Sequence, residues 1–228
     1  MTRKTPKRTR ERILELSLRL FNEHGEPNVT TSAIADGMEI SPGNLYYHFR
    51  NKDDIVNALF DDFEREIDHV LEAASGQDAS VEDAWFVLHL LFETIWKHRF
   101  LYRDLNDLLT RNRRLEAYFQ QLLARMTAGA RALCNGLAGR GELLASPREI
   151  DTLATNMVVI ATYWLSFEYV SNARRFSDSA YQSGAIARGA YQVLALTGAY
   201  LTGNSRKLFF RLAEEYLPDY PATAPTAP

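Results

Sequence analysis

Side chains that could bind another molecule through hydrogen bonds or charge are concentrated in residues 30–52, TTSAIADGMEISPGNLYYHFRNK. The carboxamide of Asn44 can form two hydrogen bonds with the edge of an adenine base. The hydroxyl groups of Tyr46 and Tyr47 suit phosphate oxygens, and the ammonium group of Lys52 adds a positive charge. Groups of these types within one short stretch predict a surface that contacts nucleic acid.

Two short helices joined by a tight turn are expected to present these groups. Thr30 or Thr31 can cap the first helix. Ser41 is a good cap for the second helix, and Pro42 suits its first position because no backbone donor is needed there. Gly43 has no side chain and permits close approach to a phosphate. The pattern predicts a helix-turn-helix, whose second helix enters the major groove of DNA.

The second helix also has a purely structural interpretation, in which its aromatic side chains belong to the core. Leu45 and Phe49 lie one helical turn apart and are expected to face the core. The polar groups around them, on Tyr46, Tyr47 and His48, leave too few apolar positions for a helix buried on all sides. We therefore expect one buried face and one face that contacts DNA.

The string SPGNLYYHFRNKDDIVNALF resembles the recognition helix and the start of the fourth helix of the TetR family of transcriptional regulators. Ile34 and Ala35 resemble the family's second helix, and the resemblance covers about residues 8–70. It implies an all-α protein, with an N-terminal three-helix helix-turn-helix domain and a C-terminal helical ligand-binding and dimerisation domain. In the family, residues at the start of the motif's first helix contact DNA phosphates. Residues at the start of the second helix face the bases, and residues towards its end contact the DNA backbone. The predicted DNA contacts are Thr30, Thr31, Ser41, Pro42, Gly43, Asn44, Tyr46, Tyr47, His48 and Lys52.

One residue of the turn departs from the family pattern. Family members commonly have glycine where this chain has Glu39. If the turn requires a left-handed backbone at this position, glutamate costs about 1 kcal/mol. Its carboxylate also places a negative charge near DNA.

Composition and periodicity divide the chain into four parts. They are a DNA-binding domain at residues 1–52 with a basic arm at 1–9, a connecting helix at 53–75, a ligand-sensing and dimerisation domain at 76–217, and a disordered tail at 218–228. Residues 1–52 hold nine Lys and Arg against six Asp and Glu, whereas the whole chain has a net charge of −3. This asymmetry favours a basic arm on an acidic body, although a charged N-terminus is also often a solvated tail.

Helical periodicity dominates the rest of the chain, and β-type alternation is nearly absent. Helices are predicted at residues 81–98, 100–111, 114–137, 147–172, 180–202 and 205–217. Small residues in the fifth of these helices permit close approach of a bulkier fourth helix. By resemblance to the family, these two helices from each of two subunits form a four-helix bundle. An intramolecular packing face would explain the same pattern.

The second domain also holds candidates for a small-molecule site, because the family resemblance implies a cavity between its helices. The candidate ligand-binding residues are Trp96, Phe119, Met126, Asn156, Tyr163, Trp164 and Phe167. Any large helical domain needs such side chains in its core, which is the alternative for each of them. Asn156 and Glu168 are candidate polar contacts, and each is also explained as a satisfied core or interface group.

The sequence lacks the signatures of an enzyme. Gly139 and Gly141 lack the third glycine of a nucleotide fingerprint, and no Gly-x-Ser-x-Gly elbow occurs. His89 and Glu93 share a helix face but have no third ligand at a recognisable spacing. Cys134 has no evident activating partner. We therefore predict no catalytic residue, no metal site and no cofactor.

The sequence also gives an expectation for where the protein is found. No apolar segment follows the basic N-terminus, as a signal peptide would require. The most apolar stretch, residues 153–170, is interrupted by polar residues and is interpreted as a buried helix, not a membrane span. A single cysteine suits a reducing compartment. These features predict a cytoplasmic protein with no membrane partner.

The sequence therefore predicts a DNA-binding transcriptional regulator that binds a near-palindromic, double-stranded operator as a homodimer. The family resemblance implies a repressor that a small, largely apolar effector releases from its operator. The alternative is a DNA-binding architectural or cell-division protein with no small-molecule ligand. A sizeable cavity in the second domain would favour the sensor, and a filled domain would favour the alternative.

Overall fold

A computed structural model describes residues 6–73, 80–176 and 178–216. Within those ranges the chain forms α-helices and no strand, and Leu143 and Leu201 form an isolated bridge. The helices are α1 (Pro6–His24), α2 (Thr31–Gly37), α3 (Pro42–His48), α4 (Lys52–Ala73), α5 (Val81–Lys97), α6 (Arg99–Arg103), α7 (Leu105–Arg111), α8 (Arg113–Gly139), α9 (Pro147–Asn172), α10 (Ser179–Gly198) and α11 (Gly203–Tyr216). The predicted all-α fold is confirmed.

One predicted helix is two helices in the structure. Residues 100–111 were expected to be continuous, but α6 ends and α7 begins around Asp104. This residue leaves helical geometry, with φ −102° and ψ 18°. Its carboxylate accepts a hydrogen bond of 2.9 Å from the backbone N–H of Glu26. The side chain at the break thus binds a backbone N–H that is distant in the chain. Helical periodicity does not reveal such a partner.

The described residues pack into two compact units. The first unit contains residues 6–68 and 97–117. Its core joins α1 to α6, where the rings of Phe21 and Phe100 lie 5.4 Å apart. The side chain of Asn22 donates to the carbonyl of Lys97 and accepts from the backbone N–H of Phe100. Buried apolar contacts and a satisfied buried amide thus fix α6 on α1.

The domain boundaries predicted from the sequence do not coincide with the limits of these units. The first unit includes the first part of α4 and residues 97–117 as well as the helix-turn-helix. The predicted division at residues 52 and 75 stays a prediction. The tail at residues 218–228 and the first five residues of the basic arm lie outside the described residues.

The second unit is organised around the contact between α9 and α10. The indole Nε1 of Trp164 donates to the carbonyl of Ala185 at 2.9 Å. A Cβ added at Gly189 would lie 2.7 Å from Trp164 Cδ1 and 2.9 Å from Phe92 Cζ. Small residues on α10 therefore make room for the large side chains of α9 and α5, as the sequence predicts for this helix pair.

Candidate nucleic-acid interface

The two helices of the motif begin with side-chain caps. The Thr30 hydroxyl accepts from the backbone N–H of Ala33 at 3.1 Å, so Thr30 and not Thr31 caps α2. The Ser41 hydroxyl accepts from the backbone N–H of Asn44 at 3.2 Å and caps α3. Pro42 occupies the first position of α3. Local hydrogen bonds thus define where both helices start.

The recognition helix α3 has the two predicted faces. Leu45 and Phe49 are buried. Asn44 and Tyr46 are exposed, and Tyr47 is 78% exposed. These exposed polar side chains are accessible to another molecule, as the predicted DNA contacts require.

Space at the start of α3 supports the same interpretation. Gly43 is exposed, and an added Cβ would approach only the Ser41 hydroxyl, at 4.0 Å. Gly43 is also absent from the residues with positive φ, so neither the backbone nor internal packing requires glycine here. Gly43 therefore leaves open space at the exposed start of α3.

The turn between α2 and α3 has left-handed backbone at Glu39. Its φ is 55°, and among the described residues it is the only residue other than glycine with positive φ. The turn closes through a hydrogen bond from the backbone N–H of Ile40 to the carbonyl of Ala35 at 3.0 Å. The left-handed conformation considered in the sequence analysis is therefore present at this position. A glutamate adopts it at a cost of about 1 kcal/mol.

Replacing Glu39 should separate strain from charge. Glu39→Gly is expected to raise the free energy of unfolding in urea by about 1 kcal/mol, because glycine adopts positive φ without steric cost. Glu39→Gln keeps the strained backbone and should leave stability within about 0.5 kcal/mol of the original. Both variants remove the charge and should bind DNA more tightly to the same degree. If Glu39→Gln is as stable as Glu39→Gly, backbone strain is not the reason that glutamate destabilises this turn.

An open groove of about 380 Å³ collects most of the predicted phosphate contacts. Its lining residues are Pro27, Val29, Thr30, Thr31, Tyr46, Arg50, Asn51 and Lys52. The Tyr46 hydroxyl lies 3.1 Å from the Thr31 hydroxyl and so joins α3 to α2. Hydroxyl donors and cations around one groove match the donors that bind phosphate oxygens.

A second open groove, of about 350 Å³, lies on the other side of α3. It is lined by Arg10, Tyr47, His48, Phe49, Arg50, Asp54, Asn57, Ala58 and Asp61. The guanidinium of Arg10 stacks over the ring of Phe49, 4.9 Å from its centroid. The predicted DNA contacts beyond the start of α3 thus divide between the two grooves. The remaining four form the exposed start of α3 and are Ser41, Pro42, Gly43 and Asn44.

Lys52 does not extend freely into solvent, because its ammonium group contacts Glu26. Lys52 Nζ donates to the carbonyl oxygen of Glu26 at 3.0 Å and lies 3.0 Å from its carboxylate Oε1. The Glu26 side chain is fully buried and also binds Arg111, at 2.7 Å. This hydrogen bond raises the pKa of Arg111 above its usual value. Sequence analysis missed Glu26 as the partner of Lys52, since a glutamate in the segment Gly-Glu-Pro-Asn looks like an exposed turn residue.

Comparison with known proteins agrees with this geometry. A family model described as "Bacterial regulatory proteins, tetR family" matches residues 13–59. A second, described as "Bacterial transcriptional repressor", matches residues 62–209, which is more than half of the chain. The chain belongs to the TetR family of transcriptional regulators.

Individual relatives support the TetR assignment to different extents. A TetR-family regulator from Marinobacter aquaeolei VT8 is 35% identical, with a TM-score of 0.79 over 91% of this chain and 98% of that one. The HTH-type transcriptional regulator TtgR of Pseudomonas putida is 32% identical over 77 residues, or 34% of this chain and 37% of that protein. The chain thus matches little more than a third of the length of this curated relative. A gamma-butyrolactone receptor shares the fold, with 18% identity, a TM-score of 0.63, and coverage of 92% of this chain and 97% of that one.

TetR-family regulators are DNA-binding proteins and in general not enzymes. In the parts of the chain that the structure describes, no cluster of three or more His, Cys, Asp or Glu side chains is arranged to hold a metal ion. Burial raises the pKa of the Cys134 thiol to about 11, which leaves it almost entirely protonated at neutral pH. Of the helices in the described ranges, none has the length and apolar character needed to cross a membrane.

The structure does not bring the seven predicted ligand-binding residues together. Four of them are buried in the second unit: Trp96, Phe119, Met126 and Trp164. The other three are exposed on α9: Asn156, Tyr163 and Phe167. Asn156, Tyr163 and Phe167 lie one or two helical turns apart and share an exposed face. The ring of Trp164 is buried, yet it stacks on the ring of Phe167 with the centroids 5.4 Å apart. The other candidate polar group, Glu168, is buried and paired with Arg188 at 2.8 Å.

Proposed function

We propose that this TetR-family regulator is a repressor that reads a near-palindromic operator with α3. The observation that carries the proposal is the exposed start of α3, where the side chain of Asn44 is accessible and Gly43 leaves space beside it. A carboxamide in this place can bond to the edge of an adenine in the major groove. The grooves on either side supply hydroxyls and cations for phosphates. We place this activity in the cytoplasm and assign no catalytic function.

The proposal includes a homodimer. Val159, Tyr163, Phe167 and Val170, which we call the α9 stripe, follow one face of α9 and are 50%, 52%, 61% and 82% exposed. An apolar face of this length on a soluble helix is typical of a subunit interface. One recognition helix per chain also reads too few base pairs for specific binding. Two copies related by two-fold symmetry would place their recognition helices about 34–36 Å apart, one turn of DNA.

The proposal also includes release by a small, largely apolar effector. The candidates for its contacts are the buried side chains of Trp96, Phe119, Met126 and Trp164. An effector can act only through different affinities for the DNA-bound and free conformations, with a coupling of about 1–3 kcal/mol. A bound compound that leaves operator affinity unchanged would contradict release by an effector.

Asn44→Ala tests the proposed reading of DNA. The operator is first identified by sequencing the DNA fragments that the purified protein retains. The substitution should weaken operator binding by about 1–3 kcal/mol and relax the preference at one base pair of each half-site. Affinity for random DNA should hardly change, because phosphate contacts supply that term.

Asn135→Ala is the matched control, since Asn135 is an exposed asparagine on α8, away from α3 in the chain. It should leave both affinities unchanged. Equal weakening of operator and random DNA by Asn44→Ala would mean that Asn44 contacts the DNA backbone. No change on either DNA would contradict the proposed role of α3.

A further inference from the structure

Glu26 is a buried carboxylate next to the groove that Lys52 lines. It lies in the short helix Glu26–Asn28 between α1 and α2, and its side chain is fully buried. Its backbone N–H is held by the carboxylate of Asp104 at 2.9 Å. A buried charge is costly unless cations and hydrogen bonds compensate it, so the two cations that contact Glu26 are essential to its presence.

Those two cations bind Glu26 in different ways. Arg111 Nη2 donates a hydrogen bond of 2.7 Å to Oε2. Lys52 Nζ lies 3.0 Å from Oε1, yet Oε1 has no hydrogen-bond partner, so this contact is an ion pair without good alignment. The hydrogen bond of Lys52 goes instead to the Glu26 carbonyl. Arg111 is thus the better partner of the carboxylate, and Lys52 keeps donor capacity for the groove.

Arg111 belongs to α7, and α7 also orients its guanidinium group. Nε and Nη2 both donate to Asp107, one turn earlier on the same helix, at 3.0 and 2.7 Å. The position of α7 therefore decides whether Glu26 is neutralised by Arg111. The other side of the cluster is Lys52, the first residue of α4, which lines the groove with Thr30 and Thr31.

We propose that Glu26 and Arg111 are positioning residues that set how strongly Lys52 attracts a DNA phosphate. While Arg111 neutralises Glu26, the charge of Lys52 is available to the phosphate. When Arg111 is withdrawn, Lys52 alone compensates the buried carboxylate, and its attraction for DNA is largely cancelled. The inference rests on the proposed function, since it assumes that the groove binds a DNA phosphate.

Four variants of the full-length protein test the cluster by its affinity for a random-sequence duplex at several salt concentrations. Arg111→Met should weaken binding by the dimer roughly tenfold and lower the salt slope by about 1 per subunit. Arg111→Lys keeps the charge and should stay close to the original affinity. Glu26→Gln should bind at least as tightly as the original. In the double variant Glu26→Gln, Arg111→Met, the loss of Arg111 should weaken DNA binding little beyond Glu26→Gln alone, because no buried carboxylate remains.

Arg114→Met is the matched control. Arg114 lies in the first turn of α8, in the same unit, and pairs with Asp61 and Glu64 of α4, at 2.5 and 2.9 Å, not with Glu26. Its loss removes the same charge and should change affinity no more than about twofold. Urea unfolding of every variant checks that it is folded, because Arg111→Met leaves the buried Glu26 carboxylate with Lys52 as its partner.

The outcomes separate this inference from the proposed function. Weaker binding by both Glu26→Gln and Arg111→Met would mean that the cluster only maintains the fold, and would overturn the inference. Independent, additive effects of Arg111→Met and Glu26→Gln would overturn it too. An original protein that binds neither operator nor random DNA would instead contradict the proposed function.

Discussion

Phe167→Glu is expected to leave the protein folded but monomeric, and to weaken operator binding by about 10²- to 10⁴-fold. Phe167 lies in the middle of the α9 stripe and is 61% exposed, so a carboxylate is tolerated in the single chain. In a symmetric dimer built on the α9 stripe the same position would be buried in both subunits, where two unpaired charges are strongly unfavourable. Light scattering measures the mass, and titration with operator DNA measures the affinity.

Phe86→Glu provides a control of equal exposure. Phe86 is 62% exposed on α5 and is not part of the α9 stripe. Its substitution adds the same charge to the surface and should leave both the dimer and operator binding unchanged. If Phe167→Glu remains a dimer, the α9 stripe is not the subunit interface. If it is a monomer that still binds operator at full affinity, dimerisation is not required for recognition.

Arg188→Met is expected to lower the free energy of unfolding by about 3–5 kcal/mol, because it leaves a buried carboxylate without its cation. Arg188 Nε and Nη2 donate to the two oxygens of Glu168, at 2.9 and 2.8 Å. The Tyr181 hydroxyl also donates to Glu168. Burial raises the pKa of Tyr181, so this donor stays protonated through neutral pH. Urea unfolding of the dimer at a fixed protein concentration measures the loss.

The double variant Glu168→Gln, Arg188→Met shows where that loss comes from. With the carboxylate removed, no charge is left buried, and most of the stability should return. If the double variant is as unstable as Arg188→Met alone, the methionine is poorly packed and the charge is not the cause. Neither variant should change the relative affinity for operator and random DNA, because both positions lie outside the first unit.

The helix-turn-helix could be predicted from the sequence because its determinants are local. The caps, the proline at the start of α3 and the spacing of Leu45 and Phe49 act within one or two helical turns. The resemblance to the TetR family rests on the same stretch of residues, and the family models confirm it. The sequence analysis also identified the strained position, although only the structure shows that Glu39 has positive φ.

The partners of charged residues were not predictable in the same way. Glu26 and Arg111 are 85 residues apart in the chain, and Glu168 and Arg188 are 20 apart on different helices. No local pattern distinguishes these pairs from ordinary surface charges. Their burial depends on how α7 packs within the first unit and how α10 packs on α9, which is a property of the folded chain.

The α9 helix shows where the boundary between sequence and structure lies. Its sequence by itself determined that a long helix rich in apolar and aromatic residues forms, because helix formation depends on neighbours within a few positions. It did not determine which of those residues are buried, since apolar side chains occur on more than one face. Packing against α10 placed Trp164 inside and left Tyr163 and Phe167 exposed. Burial is decided by long-range contacts, so only the tertiary structure moved these two residues from the predicted ligand site to a candidate subunit interface.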